Sequence, residues 1–312
     1  MRFSVYQESR KGGRRVNQDR MGYLYTRESA LLMVADGMGG HARGEVAAEI
    51  MVQTLAALFQ REARPLIVDP ARFLKDAVLV AHHELHRFRA ERSLPEAPRT
   101  TLVAAIVQQG QVIWAHVGDS RIYLIRGGEI VARTVDHSRV QHLVMAGLIR
   151  PDEAKNHPER NRIFNCVGAD VPPNVEVARP QRLAGGDTLL LCSDGVWGAL
   201  DEGHIAQSFG PRGVMRAVPD LLDRALLAAG ADADNCTAVA LTWSGDESLD
   251  MVPPSDEPVS TLLLPEGAMA STIQVGRPGE NLPDEELTDD QIDDAVAEIQ
   301  RAIQRAGRLV NK

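Results

Sequence analysis

The sequence is poor in cysteine and contains no long hydrophobic run. Its three cysteines, Cys166, Cys192 and Cys236, lie far apart and form no CxxC pair, which argues against a disulfide framework and against a thiolate zinc site. No apolar run approaches the roughly 20 residues that span a bilayer, and the first residues lack the apolar stretch of a signal peptide. We therefore expect a cytoplasmic protein with no membrane partner.

The chain also lacks an excess of positive charge. Its net charge is -9, and residues 246–312 carry 15 acidic and 5 basic side chains, whereas residues 1–245 carry 28 and 29. A nearly neutral body without a basic stripe gives little support to nucleic-acid binding. With 312 residues, 44% of them hydrophobic, the chain has enough apolar material for one large globular domain or two small ones.

The composition changes near the C-terminal end and predicts three parts. Residues 1–244 form the expected folded domain, and residues 245–283, rich in Pro, Gly, Ser, Thr and acids, predict a flexible linker. In residues 284–312, Thr288 and Gln291 resemble a capping box, and apolar residues recur at helical spacing. This amphipathic helix is expected to dock on its own domain, on a second copy of the chain, or on a partner.

Acidic residues recur at the edges of strand-like apolar runs. Asp36 ends the run LLMVAD and is followed by glycines, although a lone Asp-Gly pair is commonly only a turn. Asp119, Asp194 and Asp234 have the same setting, each within one residue of Gly or Asn, and Asp19 is a fifth such acid. Four acids at matching positions predict that the side chains converge at one rim of the fold.

This set of acids predicts a metal centre. Oxygen ligands without Cys or His suit the hard cations Mg²⁺ and Mn²⁺. Two such ions about 3.5–4 Å apart can hold a bridging hydroxide that attacks a phosphoryl group, so the acids predict hydrolysis of a phosphate ester. Arg14 and Arg15 precede Asp19, and either could offer a guanidinium to the phosphate.

Other phosphatase chemistries find no support in the sequence. No cysteine is followed six residues later by arginine, and neither a GxSxG elbow nor a P-loop occurs. The irregular, polar and proline-rich residues 138–182 could form a flap over a site. We interpret His137, which directly precedes them, as a local hydrogen-bonding residue rather than a catalytic one.

Six motifs, in this order and spacing, resemble those of the metal-dependent Ser/Thr protein phosphatases of the 2C type (the PPM family), bacterial branch. The resemblance covers roughly residues 2–243. The motifs are RxxNQD (14–19), ADGMGGH (35–41), GDSR (118–121), TxDHS (134–138), CSDGVW (192–197) and DNCT (234–237).

The resemblance implies an α+β fold, a four-layer αββα sandwich of two central antiparallel β-sheets flanked by helices, with the metals in a cleft at one end. Asp36 would bridge two Mn²⁺ or Mg²⁺ ions, the carbonyl of Gly37 would complete the second, and Asp194 and Asp234 would hold the first. Asp119 would help Asp194 hold a weaker third ion.

The resemblance also implies roles around these ions. Asp19 would orient metal-bound water. Arg14, five residues before Asp19, would occupy the position of the arginine that binds the phosphate, and Arg15 lies one residue away from that position. Two residues depart from the animal members of the family: Gln18 stands where they have an acid, and Met38 stands where they have a histidine proposed as general acid. Met38 leaves the donor of the leaving-group proton unassigned, with metal-bound water as the default.

The implied function is a metal-dependent protein serine/threonine phosphatase. Its expected partners are phosphorylated proteins, above all a Ser/Thr kinase and its substrates. The alternative is a catalytically idle member of the family that acts through protein contacts. The presence of all five acids favours the active enzyme.

Overall fold

A computed structural model describes residues 1–38, 43–154, 157–210, 213–245 and 268–273. The predicted C-terminal helix, residues 284–312, lies outside the described residues, as does most of the predicted linker. Within the described ranges, no helix has both the length and the apolar character that crossing a bilayer requires.

The strands are β1 (Arg2–Arg10), β2 (Asp19–Tyr25), β3 (Ser29–Asp36), β4 (Leu102–Gln108), β5 (Gln111–Val117), β6 (Arg121–Arg126), β7 (Glu129–Arg133), β8 (Glu176–Val177), β9 (Gln181–Arg182), β10 (Thr188–Cys192), β11 (Cys236–Gly245) and β12 (Ala270–Ser271). The helices are α1 (Gly44–Glu62), α2 (Pro70–Glu91), α3 (Arg139–Met145), α4 (Pro151–Ala154), α5 (Asp194–Trp197), α6 (Glu202–Ser208) and α7 (Val214–Ala229).

The strands form two antiparallel sheets. The first has the order β1-β11-β10-β6-β7, and the second has the order β12-β2-β3-β4-β5-β8, with β9 also paired to β5. Their inner faces share one apolar core, to which Leu32 and Val103 contribute from the second sheet and Leu191 and Val239 from the first. The two sheets therefore pack face to face as a sandwich.

Helices cover the outer face of each sheet. Along β3, alternate side chains point to opposite faces, so that Leu31 and Met33 join a core with α1 and α2 while Leu32 faces the other sheet. On the first sheet, Leu190 packs with α5, α6 and α7. Both faces are buried, which explains the continuous apolar runs in the sequence, and the predicted four-layer αββα fold is confirmed.

A short segment within the range predicted as a linker lies against the second sheet. Ala270–Ser271 pairs with Leu24 and Tyr25 of β2, and the side chain of Ile273 is 9% exposed. It occupies the space above Gly22, where a Cβ would collide with it. Residues 268–273 thus extend the sheet with one edge strand.

We expect Ile273→Ala to lower the free energy of unfolding by about 2 kcal/mol, because truncating a buried aliphatic side chain leaves apolar surface uncovered and a cavity behind. Urea denaturation followed by circular dichroism measures this change. Val68, whose side chain is fully exposed, provides the control, and Val68→Ala should change the value by less than about 0.5 kcal/mol. Equal urea midpoints for Ile273→Ala and Val68→Ala would contradict the packing of residues 268–273 on β2.

Candidate metal centre

The five predicted acids lie at one end of the sandwich. Asp19 opens β2 and Asp36 closes β3, and the two residues are direct cross-strand partners. Asp119 lies between the end of β5 and the start of β6, Asp194 follows β10, and Asp234 precedes β11. The end of β10 pairs with the start of β6 and of β11, so the turns that carry these acids share one edge of the fold.

The acids lie close enough to oppose one another's ionisation. Burial raises the pKa of Asp36 well above its ordinary value, and the charges of Asp19, Asp194, Asp119 and Asp234 add to the increase. Burial, followed by the charges of Asp234 and Asp19, raises the pKa of Asp194 to about 7. Since buried like charges oppose each other's ionisation, the cluster favours a species that brings positive charge.

The donor set fits divalent cations. Among the residues that the structure describes, Oδ1 of Asp19 and Oδ1 of Asp119 are buried and have no hydrogen-bond partner. Buried polar atoms normally have one, and these two lie in a group of carboxylate oxygens, the ligands that Mg²⁺ and Mn²⁺ prefer. The residues therefore suit such ions.

Two glycines allow three segments to meet beside Asp36. A Cβ on Gly37 would collide with the carbonyl of Gly44, and a Cβ on Gly44 would approach the backbone of Gly37 and the side chain of Gln18. The N–H of Gly37 donates to the carbonyl of Gln18 at 3.2 Å. The start of α1, the end of β3 and the loop before β2 can pack this closely only because both positions lack a side chain.

Arg14, rather than Arg15, reaches the acids. One guanidinium nitrogen of Arg14 donates to Oδ2 of Asp234 at 2.6 Å, and this hydrogen bond, with the charge of Asp234, raises the pKa of Arg14. The charges of Asp194 and Asp36 contribute further. The side chain of Arg14 is 58% exposed, so it lies at the mouth of the cluster, where an incoming anion would meet it.

Asn235, whose function the sequence did not reveal, holds the loop that carries Arg14. Its side-chain amide donates to the carbonyls of Lys11 at 2.8 Å and Val16 at 3.1 Å. Its Oδ1 accepts the N–H of Gln18 at 2.8 Å. An asparagine at this position in DNCT suits the task because the amide both donates and accepts.

Hydroxyl groups fix two of the acids. Ser193 donates to Oδ2 of Asp19 at 2.7 Å, and Thr101 accepts the N–H of Asp36 at 3.1 Å while bonding the hydroxyl of Ser120 at 2.7 Å. The motifs CSDGVW and GDSR thus contribute these serines as well as their acids, which the acid pattern alone did not indicate.

A buried ion pair braces the loop after Asp119. Arg121 donates through two nitrogens to both oxygens of Asp136, at 2.8 and 2.7 Å. Its guanidinium also lies 3.7 Å from the centre of the Trp197 ring, close enough for a cation–π contact. GDSR, TxDHS and CSDGVW are therefore joined through one arginine, a link that cannot be read from motif order.

Gln18 and Met38, the two residues that differ from the animal members of the family, each make a hydrogen bond in the structure. The side-chain amide of Gln18 donates to Glu45 at 3.2 Å. The carboxylate of Glu45 therefore lies beside residue 18, the position at which the animal members have an acid. Met38 follows Gly37, and its backbone N–H donates to the carbonyl of Arg99 at 3.0 Å. Its thioether carries no proton to donate.

Comparison with known proteins finds relatives that are named as serine/threonine phosphatases. The Listeria monocytogenes protein named serine/threonine phosphatase stp is 34% identical over 189 residues, which cover 60% of this chain and 74% of that protein. The crystal structure of serine/threonine phosphatase Stp1 from Staphylococcus aureus is 31% identical, with a TM-score of 0.72, and covers 78% of this chain and 96% of that one.

A structure of the catalytic domain of the serine/threonine protein phosphatase PstP, in complex with two manganese ions, is also 31% identical. Its TM-score is 0.66, and the match covers 78% of this chain and 99% of that one. The αββα sandwich of this chain therefore matches that of the serine/threonine phosphatases. The family model described as protein phosphatase 2C matches residues 7–224. The chain therefore belongs to that family.

We expect the metal-free protein to lose stability as the pH rises. The pKa of Asp194 is about 7 in the folded protein against an ordinary 3.8, so the folded state retains a proton that the unfolded chain releases. Stability therefore falls between about pH 4 and pH 7. In EDTA at pH 8, Asp194→Asn should be more stable than the wild type by about 1–3 kcal/mol, because the neutral amide relieves the repulsion.

Urea denaturation in EDTA at pH 5 and pH 8 measures both effects. The exposed Asp170 supplies the control, since Asp170→Asn should stay within about 0.5 kcal/mol of the wild type. An Asp194→Asn variant that is less stable than the wild type at pH 8 in EDTA would show that repulsion does not dominate this cluster.

Proposed function

We propose that the chain hydrolyses phosphoserine and phosphothreonine in proteins and that the acid cluster holds two Mn²⁺ or Mg²⁺ ions for this reaction. Membership of the protein phosphatase 2C family and the serine/threonine phosphatases among its relatives support the activity and the substrate class. The observation that carries the metal part is the convergence of five carboxylates, two of which have a buried oxygen without a partner.

We assign the ligands by the resemblance of the motifs to those of the family. Asp36, the carbonyl of Gly37, Asp194 and Asp234 would together hold the two ions. Asp119 would share a third, weaker site with Asp194. When bound, such ions supply an activated water and neutralise charge on the phosphoryl oxygens.

The side chains of this chain would position the reactants. Asp19, held by Ser193 at 2.7 Å, would orient the attacking water with its other oxygen. Arg14 would bind two phosphate oxygens through its planar guanidinium. Because Met38 cannot supply a proton, we place the donor for the leaving oxygen on water rather than on that side chain.

The physiological setting is also a proposal. A Ser/Thr kinase and its targets are the expected source of phosphorylated substrate, and Cys166, Cys192 and Cys236, all free and buried, suit a reducing cytoplasm. Residues 284–312 would dock on this domain, a second copy or a partner. The alternative of a catalytically idle family member is the less supported one, because the named relatives are phosphatases.

Metal removal and removal of the central acid should abolish activity. We expect EDTA to stop turnover of p-nitrophenyl phosphate and of a phosphothreonine peptide, and Mn²⁺ to restore it. Asp36→Asn should reduce kcat by at least about 100-fold, because loss of a ligand weakens charge neutralisation at the phosphoryl group. Asp170→Asn should retain wild-type rates. Turnover that survives both EDTA and Asp36→Asn would disprove the two-metal reaction.

Substitution of Arg14 and of Arg15 should have clearly different effects on kcat/KM. Arg14→Ala should reduce kcat/KM by about 10- to 100-fold, the equivalent of one charge-assisted hydrogen-bonded contact, when measured at saturating Mn²⁺. Arg15→Ala should change it by less than about twofold, because Arg15 is exposed and is not the residue that reaches the acids. The reverse order of effects would assign the phosphate contact to Arg15.

A further inference from the structure

The ring of His137 joins the residues beside Asp119 to residues 138–182. Its Nδ1 accepts the backbone N–H of Gly118 at 3.2 Å and an amide hydrogen of Asn165 at 2.8 Å. Its Nε2 lies 3.3 Å from a carboxylate oxygen of Glu176. One imidazole thus contacts the residue before Asp119 and two separate positions of the 138–182 segment.

These contacts fix the tautomer of His137. Asn165 donates to the carbonyl of Asn174 at 2.8 Å and accepts its N–H at 3.0 Å, which settles which end of the Asn165 amide is the donor. Both partners of Nδ1 are therefore donors, so Nδ1 carries no proton. The proton lies on Nε2 and is donated to Glu176.

The same reasoning argues against a metal ion at this cluster. Ligand atoms of His116, His137 and Glu176 lie within 4.8 Å of one another, a spacing that permits coordination. However, Nε2 of His116 donates to the carbonyl of Val135 at 2.8 Å, and Nε2 of His137 is also protonated. Since a metal needs a free lone pair on nitrogen, the hydrogen bonds already use these atoms.

The backbone of His137 strengthens the link in both directions. Its N–H donates to the carbonyl of Gly118 at 2.9 Å, and its carbonyl accepts the N–H of Phe164 at 3.1 Å. His137 therefore binds both polar backbone groups of Gly118. Gly118 has a φ of 103°, and a Cβ there would press on the side chain of Thr101, so it has little room to move independently.

We infer that His137 is a positioning residue that couples the 138–182 segment to Asp119. A displacement of Asn165 or Glu176 would move the imidazole and with it Gly118, and so reorient the carboxylate that follows. Such coupling is reciprocal, so what binds at Asp119 should in turn order the 138–182 segment. The inference rests on the proposed role of Asp119 as a metal ligand.

A double-mutant cycle tests whether His137 acts through Asp119. We expect His137→Ala to raise the Mn²⁺ concentration for half-maximal activity by roughly 10-fold, as loss of a residue that orients a ligand does. In an Asp119→Asn background, the same substitution should add less than about twofold. His137→Asn, whose amide oxygen can replace Nδ1 as acceptor, should recover most of the loss. His142→Ala, on the exposed face of α3, is the control.

Hydrogen–deuterium exchange provides a readout that does not depend on turnover. In the wild type, Mn²⁺ should slow amide exchange in residues 158–177, and this response should disappear in His137→Ala and in Asn165→Ala. Asn165→Ala breaks the bridge while leaving His137 and Gly118 unsubstituted, so it serves if His137→Ala fails to fold. The exposed Asn161 supplies the matched control, since Asn161→Ala should respond like the wild type.

The outcomes separate the inference from the function on which it rests. If Asp119→Asn leaves both activity and its Mn²⁺ dependence unchanged, the proposed role of Asp119 is wrong, and with it the inference that His137 acts through this ligand. If Asp119→Asn is impaired but the effects of the two substitutions multiply, the coupling is overturned while the metal site stands. An undiminished exchange response to Mn²⁺ in folded Asn165→Ala and His137→Ala would also overturn it.

Discussion

Repulsion among buried carboxylates is the constraint on which this structure depends. Burial and the neighbouring acids raise the pKa values of Asp36, Asp119 and Asp194, so ionising the cluster opposes folding. A sandwich that only had to be stable would not gather these groups. The rest of the domain supplies the apolar burial that offsets this cost, and a bound divalent cation would lower it further.

The two-sheet architecture makes the gathering possible. Antiparallel strands return the chain repeatedly to the same edge, so acids that are far apart in sequence, such as Asp36 and Asp194, meet where the sheets end. Gly37 and Gly44 allow the crossing segments to approach without side chains between them. Thr101 and Ser193 then fix the acids through hydroxyl contacts. The positions of the charges therefore follow from strand register more than from local sequence.

Much of this arrangement was predictable from the sequence. Continuous apolar runs ending in Asp36 or preceding Asp194 placed the acids at strand ends, because burial on both faces of a strand removes polar alternation. The αββα layers were implied by the resemblance of the six motifs to a known family. The pairing of Arg121 with Asp136 and the contacts of Asn235 could not be predicted, because they depend on which loops lie side by side. The strand at Ala270–Ser271 was missed since two residues carry no periodicity.

The same end of the sandwich holds two kinds of buried charge, and the difference explains their tasks. Arg121 and Asp136 satisfy each other through two hydrogen bonds, and breaking such a buried pair typically costs about 3–5 kcal/mol, so that pair resists rearrangement. Asp19 and Asp119 each retain a buried oxygen without a partner. Because Arg121 and His137 hold the backbone on either side of Asp119, Oδ1 of its carboxylate can remain without a partner and does not relax toward a neighbour. The paired groups on either side of Asp119 thus allow a carboxylate oxygen without a partner to persist there.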